Sequence, residues 1–207
     1  MIYTLLFWLV MQLLALLALP LAVRLFRWLP DRGYTLSKAL GLLSVSYMLW
    51  LGASTRLLYN NLGGILLATL LLAALSAWLL YRDRQVGQDL LHLFAKQNRL
   101  VLVVELLFTL CFLLWVALRA YAPEKIMTAG GEKFMEIAFL NGVLNSQSFP
   151  PLDPWLSGFG ISYYYFGYVM MALLTRLSAA PAAVGFELYD ALLFALTAQG
   201  AFGVVYN

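Results

Sequence analysis

The sequence predicts an all-α, polytopic integral membrane protein of about six transmembrane helices with one long outward loop. Three observations carry that prediction. First, 63% of the 207 residues are hydrophobic and 11% are charged, against roughly 45–50% and about 25% in soluble domains. A soluble domain of this size must turn too many residues toward water to carry so apolar a composition. Second, residues 1–23, 39–55, 57–81, 154–175 and 191–207 contain no Asp, Glu, Lys or Arg, and 100–118 contains only Glu105. A helix of about 20 mostly apolar residues crosses the ~30 Å of hydrocarbon in a bilayer. Third, runs such as 66–72 (Leu-Leu-Ala-Thr-Leu-Leu-Leu) do not alternate, as the strands of a membrane β-barrel must. These facts exclude a soluble globular protein, a nucleic-acid-binding arm and a disordered chain.

The elements follow in order. The first span is 2–23, and Pro20 kinks it or marks its exit. It reads as a span and not convincingly as a signal peptide, because it lacks an early Lys or Arg and runs for 23 residues from Met1. The second span is 36–55. Tyr59-Asn60-Asn61 and Gly63-Gly64 supply the turn chemistry of a tight connection to the third, 62–81. Arg82-Asp83-Arg84 stops that span, and a polar stretch containing a solvated His92 runs to Arg99. The fourth span is 100–121. A loop over 122–160 follows, holding a short interfacial helix at about 132–146. The fifth and sixth spans are 161–177 and 184–206, with Pro181 between them. The chain thus divides into four N-terminal spans (1–121), the loop (122–160) and two further spans (161–207). The hydrophobic ending, Val204-Val205-Tyr206-Asn207, suggests the N-terminal fragment of a longer membrane protein.

Charge sets the expected orientation. Arg24, Arg27, Arg32, Lys38, Arg82, Arg84, Lys96, Arg99 and Arg176 fall in loops of one side, and Arg56, Arg119, Lys125 and Lys133 in those of the other. The richer side belongs in the cytoplasm, which puts the N-terminus and the loop 122–160 outside a plasma membrane. The same bias accounts for the net charge of +3 and the pI near 9.0 without a nucleic-acid partner. Glu105 lies six positions past Arg99, about 9 Å along a helix, and reads as an interfacial carboxylate beside Arg99 and Lys96. Glu187 and Asp190 read likewise at the cytoplasmic start of the last span. Cys111 is the single cysteine and His92 the single histidine, so an internal disulfide and a His-cluster zinc site are excluded.

The outward loop concentrates the chemistry. Glu124, Glu132, Glu136 and Asp153 fall within about forty residues, with Lys125 and Lys133 beside them and aromatic residues after them. Gly130-Gly131 breaks the chain before the short helix. Glu132 and Glu136 are four apart and share a helix face, where they repel mildly unless a cation or metal lies between. Glu132 also suits a helix N-terminus electrostatically. Phe134, Ile137, Phe139, Leu140 and Leu144 surround the helix, so it wedges against the bundle or lies in the interface. Pro150-Pro151 and Pro154 hold Asp153 extended. A carboxylate there binds a metal, a sugar hydroxyl or a lysine, or it starts a turn. Tyr163, Tyr164 and Tyr165 belong to an interfacial aromatic belt, or they form a wall for a sugar or a lipid phosphate. Three consecutive tyrosines point to three helix faces, so at most two line one site.

Glu132-Lys133-Phe134-Met135, Ala138-Phe139-Leu140-Asn141-Gly142-Val143-Leu144-Asn145-Ser146, Phe149-Pro150-Pro151-Leu152-Asp153-Pro154-Trp155, Gly158 and Tyr163-Tyr164-Tyr165-Phe166-Gly167 together resemble the uncharacterised YYY membrane proteins of bacteria and archaea, domain of unknown function 2298. Leu36-Ser37-Lys38-Ala39-Leu40-Gly41 and Ser46-Tyr47 fit the amino-terminal part of that family. The family is distantly similar to GT-C glycosyltransferases, polytopic enzymes that take sugars from polyprenyl-phosphate carriers and place an essential acid in an outward loop. The resemblance implies that Glu132 is the catalytic base and Asp153 the second carboxylate. Lys125 or Lys133 would offset charge on the lipid phosphate. Glu136, Trp155, Tyr163, Tyr164 and Tyr165 would face the substrate. A divalent metal is a possible cofactor, although GT-C loops often carry a second acid where this chain has Lys133. The alternative is a non-catalytic transporter, lipid-handling factor or assembly protein that uses the loop for docking. Transport is disfavoured by spans with few polar or broken segments at the midplane.

Overall fold

The computed structural model describes residues 1–121 and 132–207. Their helices are α1 (Ile2–Leu25), α2 (Ser37–Ser54, led in by a 3-10 turn at Tyr34–Leu36), α3 (Leu62–Arg82), α4 (Arg84–Lys96), α5 (Asn98–Tyr121), α6 (Lys133–Asn145), α7 (Phe166–Leu177) and α8 (Ala182–Tyr206). The protein is an all-α polytopic membrane protein. Five helices are long and apolar enough to cross a bilayer: Ile2–Leu25, Tyr34–Ser54, Leu62–Arg82, Asn98–Tyr121 and Ala182–Tyr206.

Side-chain caps explain several starts. Asn61 accepts the Gly64 N–H at 2.8 Å and opens α3. Asp83 accepts the Gln85 N–H at 3.1 Å and opens α4 after a break of one residue. Asp31 is fully buried, and its carboxylate accepts from the N–H groups of Gly33 and Thr35 and the Thr35 hydroxyl at 2.8, 3.0 and 2.5 Å. Those bonds offset its desolvation and start the turn into α2. Helix α1 continues past Pro20 to Leu25. A Cβ on Gly41 would collide with the Leu14 carbonyl, so α1 and α2 pack backbone against backbone, as small residues permit in membranes.

Five expectations need correcting. The fifth span is α7, with only 12 residues, about 18 Å of helix, which is too short to cross. Its apolar run is spent on an irregular segment before Tyr165, and Ser178 ends the helix before Pro181. Everything after α7 therefore stands at the other end of the bundle from the one expected. Arg176 donates to the carbonyls of Asn60, in the α2–α3 loop, and Leu144. Arg119, at the end of α5, pairs with Glu187 and, at 3.3 Å, with Asp190. The far end of α8 meets the α1–α2 connection: Gln199 donates to the Thr35 carbonyl at 2.6 Å, and Asn207 accepts the Asp31 N–H at 3.0 Å. Arg176, Glu187 and Asp190 thus share the Arg119 end of the bundle.

The other corrections concern polar residues. The stretch before Arg99 is not a loop but the amphipathic helix α4, with Val86, Asp89 and Leu93 buried. Asp89 is accommodated by Arg32. His92 is only partly exposed, and its Nδ1 is buried without a partner. Glu105 does not face Lys96 or Arg99. It accepts from Lys38 Nζ at 2.5 Å, the Tyr34 hydroxyl at 2.9 Å and Gln12 Nε2 at 2.9 Å. Lys38 is 1% and the Glu105 side chain 28% exposed, so an ion pair with a buried lysine ties α5 to α2, and Gln12 adds α1. Elsewhere between α1 and α5, Trp8 donates to Thr109 at 3.1 Å. Beside that bond runs an apolar slot of about 670 Å³, lined by Leu5, Trp8, Leu113 and Val116.

Candidate functional site

The short helix sits near its expected place, and a polar staple holds it. The last carbonyls of a helix have no partner within it. At the end of α6, Asn60 Nδ2 donates to the carbonyls of Val143 and Ser146 at 2.7 and 2.8 Å. The Arg176 guanidinium donates to Leu144 and to Asn60 itself. A cation is favoured at this negative end of the dipole. Burial pulls the Arg176 pKa below its ordinary value.

The segment between α6 and α7 folds back on itself. Leu152 bridges Gly160, Ile161 N–H bonds the Pro151 carbonyl at 2.8 Å, and Asp153 N–H bonds the Phe159 carbonyl at 2.9 Å. The Phe149–Pro150 bond is cis, and a Cβ on Gly160 would lie 2.8 Å from Pro150 Cγ. Asp153 Oδ1 accepts the N–H groups of Trp155 and Leu156 at 2.8 and 2.9 Å, so the carboxylate caps its own turn.

Aromatic rings join this hairpin to the helices. The buried Phe139 ring lies 5.4 Å from Trp155, 5.8 Å from Tyr163 and 5.6 Å from Tyr168, centroid to centroid. Between α6, α7 and α8 lies a cavity of about 250 Å³, lined among others by Glu136, Tyr164, Tyr168, Tyr189 and Asp190. A second hollow of about 320 Å³ is lined by Tyr47, Trp50, Tyr163, Tyr164, Tyr165 and Phe166. Tyr164 lines both. Trp50 Nε1 donates to the Tyr165 hydroxyl at 3.0 Å, which pins that tyrosine to α2.

The electrostatics show which acids share the mouth. The Tyr168 phenol is raised by burial, then by the charges of Glu136 and Glu132. Tyr163 is pushed up to about 12, first by its hydrogen bond with Tyr164, then by partial desolvation and by neighbours that include Glu132. Asp190 is held by Arg119 at 3.3 Å.

The structure therefore brings Glu132, Glu136, Tyr163, Tyr164 and Tyr168 together at one end of the bundle. It leaves Asp153 in its turn and Trp155 exposed on the hairpin against Phe139. Lys133 opens α6 and is half-buried. Lys125, Glu124 and Gly130-Gly131 lie outside the described residues. No group of three or more His, Cys, Asp or Glu able to hold a metal occurs among the described residues. Sequence reasoning missed Asp190, Arg119, Tyr168 and Tyr189. The signal was available: Arg119 is the cation ending the fourth span, and Glu187 and Asp190 are three apart on one face of the last.

Comparison with known proteins gives one family. The model of an uncharacterised membrane protein family, DUF2298, matches residues 44–207. No curated protein and no solved structure matches the chain.

Proposed function

The chain belongs to the DUF2298 family of uncharacterised membrane proteins, and we propose that it is a GT-C-like inverting glycosyltransferase. It would move a sugar from a polyprenyl-phosphate donor to a hydroxyl acceptor at the membrane face that carries α6. The observation that supports this most is the tyrosine-walled cavity in which Glu136 and Asp190 come from different helices. Such a cavity offers what glycosyl transfer needs: a carboxylate to take a proton, a second to orient a hydroxyl, and aromatic faces for a sugar ring.

In this mechanism a carboxylate accepts the acceptor's hydroxyl proton as the oxygen attacks the anomeric carbon. The bond from that carbon to the phosphate oxygen breaks, and the lipid phosphate leaves with the electron pair. Glu136 is the proposed base, and Glu132, one turn earlier, shapes the mouth. Asp190, fixed by Arg119, orients the sugar. Lys133, with Lys125 eight positions earlier in the sequence, stabilises charge on the departing phosphate. Tyr163, Tyr164 and Tyr165 form the wall, while Asp153 positions the hairpin that carries Trp155. The proposed outer face of a plasma membrane follows the charge bias: with Arg176 reassigned, eight cations stand at the Lys38 end against four at the other among the described residues.

The test uses the full chain in nanodiscs with polyprenyl-phosphate-linked sugars. Glu136→Gln is expected to lower transfer by about 10²-fold or more while thermal unfolding changes little. Glu132→Gln and Asp153→Asn in parallel show whether the base is instead the acid implied by resemblance. Undiminished transfer by both glutamate variants removes both from the catalytic role.

A further inference from the structure

Helix α4 has no part in that site. It joins α3 to α5, two spans whose adjoining ends lie on the same side, through single residues, Asp83 and Gln97. Its axis therefore runs along the boundary of the bundle, not through it. One face is anchored: Val86 and Leu93 pack with Leu19, Val23, Leu100 and Val104, Gln97 donates to the Pro30 carbonyl at 3.1 Å, and Arg32 pairs with Asp89.

The other face is left open. Leu91 is 73% and Phe94 47% exposed, and Trp28 and Tyr81 nearby are 73% and 87% exposed. The charges around them are one-sided. Asp83 is matched by Arg24 at 3.1 Å and Arg27 at 3.4 Å, Asp89 by Arg32, and Glu105 by Lys38. Arg82 and Arg84 at one end of α4, and Lys96 and Arg99 at the other, are exposed and form no ion pair among the described residues. Exposed apolar side chains flanked at both ends by uncompensated cations fit the headgroup layer of a bilayer. The apolar groups enter the acyl boundary and the cations meet phosphates. A soluble acidic partner fits less well, because Arg82 and Arg99 are the first charges beyond the apolar runs of α3 and α5 and so stand at headgroup depth.

We propose that α4 is a surface-lying helix that binds the anionic headgroups of the leaflet at the Lys38 end, with Leu91 and Phe94 seated in its lipid. The proposal is independent of sugar transfer. It is tested in the full chain carrying Cys111→Ser, reconstituted into phosphatidylcholine vesicles with or without phosphatidylglycerol. A nitroxide on Leu91→Cys is expected to be relaxed by oxygen and shielded from an aqueous nickel complex, unlike one on Arg56→Cys. Native mass spectrometry is expected to show retained phosphatidylglycerol in preference to phosphatidylcholine. That preference should fall by about tenfold or more when Arg82, Arg84, Lys96 and Arg99 are all changed to Gln. Nickel access at Leu91→Cys equal to that at Arg56→Cys overturns the proposal. So does equal retention of the two lipids by the unsubstituted protein. The depth measurement stands even if the quadruple variant folds poorly.

Discussion

Arg176 acts as a cap for a helix other than its own. Its guanidinium and the Asn60 amide together serve the carbonyls that end α6. Leaving such buried acceptors unpaired costs about 1–3 kcal/mol each. Arg176→Ala should therefore lower the unfolding temperature in detergent clearly more than Arg56→Ala, whose side chain lies in an exposed loop. The pair Lys38–Glu105 makes a sharper case. Removing one partner of a buried ion pair strands the other, typically at about 3–5 kcal/mol, whereas replacing both is far milder. Lys38→Met should destabilise more than the double variant Lys38→Met/Glu105→Gln, as calorimetry would show. Tyr163 gives a pH signature. Its pKa stands at about 12, above the ordinary 10.0, so the neutral phenol is favoured by the fold. The associated stability is fully present below pH 10 and is lost as pH rises through 12. The tyrosinate absorbance that Tyr163→Phe removes should therefore titrate late.

Elements were legible where composition speaks for them. Spans α1, α2, α3 and α5 follow from uncharged runs, and α6 starts within a residue of its expected position. Hydropathy reports the solvent a segment meets, however, and not whether the segment crosses. That is why α7 passed for a span: its Val169, Met171, Leu173 and Leu174 are buried in the protein core, and the helix is only 12 residues long. Helix α4 escaped notice for the opposite reason, since only Val86 and Leu93 and the paired Asp89 turn inward. Single cysteines in a Cys111→Ser background decide the matter. An impermeant thiol reagent should label Ala183→Cys from the same side as Arg56→Cys, and Arg84→Cys from the other. Labelling of Ala183→Cys together with Arg84→Cys would make α7 a true crossing.

In the whole molecule, one misjudged element moved the α8 contribution to the candidate site, Tyr189 and Asp190. Counting α7 as a crossing sent the start of α8, and Asp190 with it, to the wrong end, so only the α6 and tyrosine wall could be read from the sequence. Glu132, Glu136 and Tyr164 were visible because they crowd one loop. Asp190 and Tyr189 were hidden because they reach the cavity from a different helix.

The Lys38–Glu105 pair also bears on how the chain is made. Its partners are 67 residues apart in sequence. Synthesis at about 5–20 residues per second separates their emergence from the ribosome by roughly 3–13 s. Through that interval Lys38 lacks the carboxylate it pairs with in the folded chain. Because it is the second residue of α2, its long side chain can extend to the water interface and wait. It meets Glu105 only once α5 has been made. The ion pair between α2 and α5 is therefore a late contact, made only after the first three spans have been synthesised.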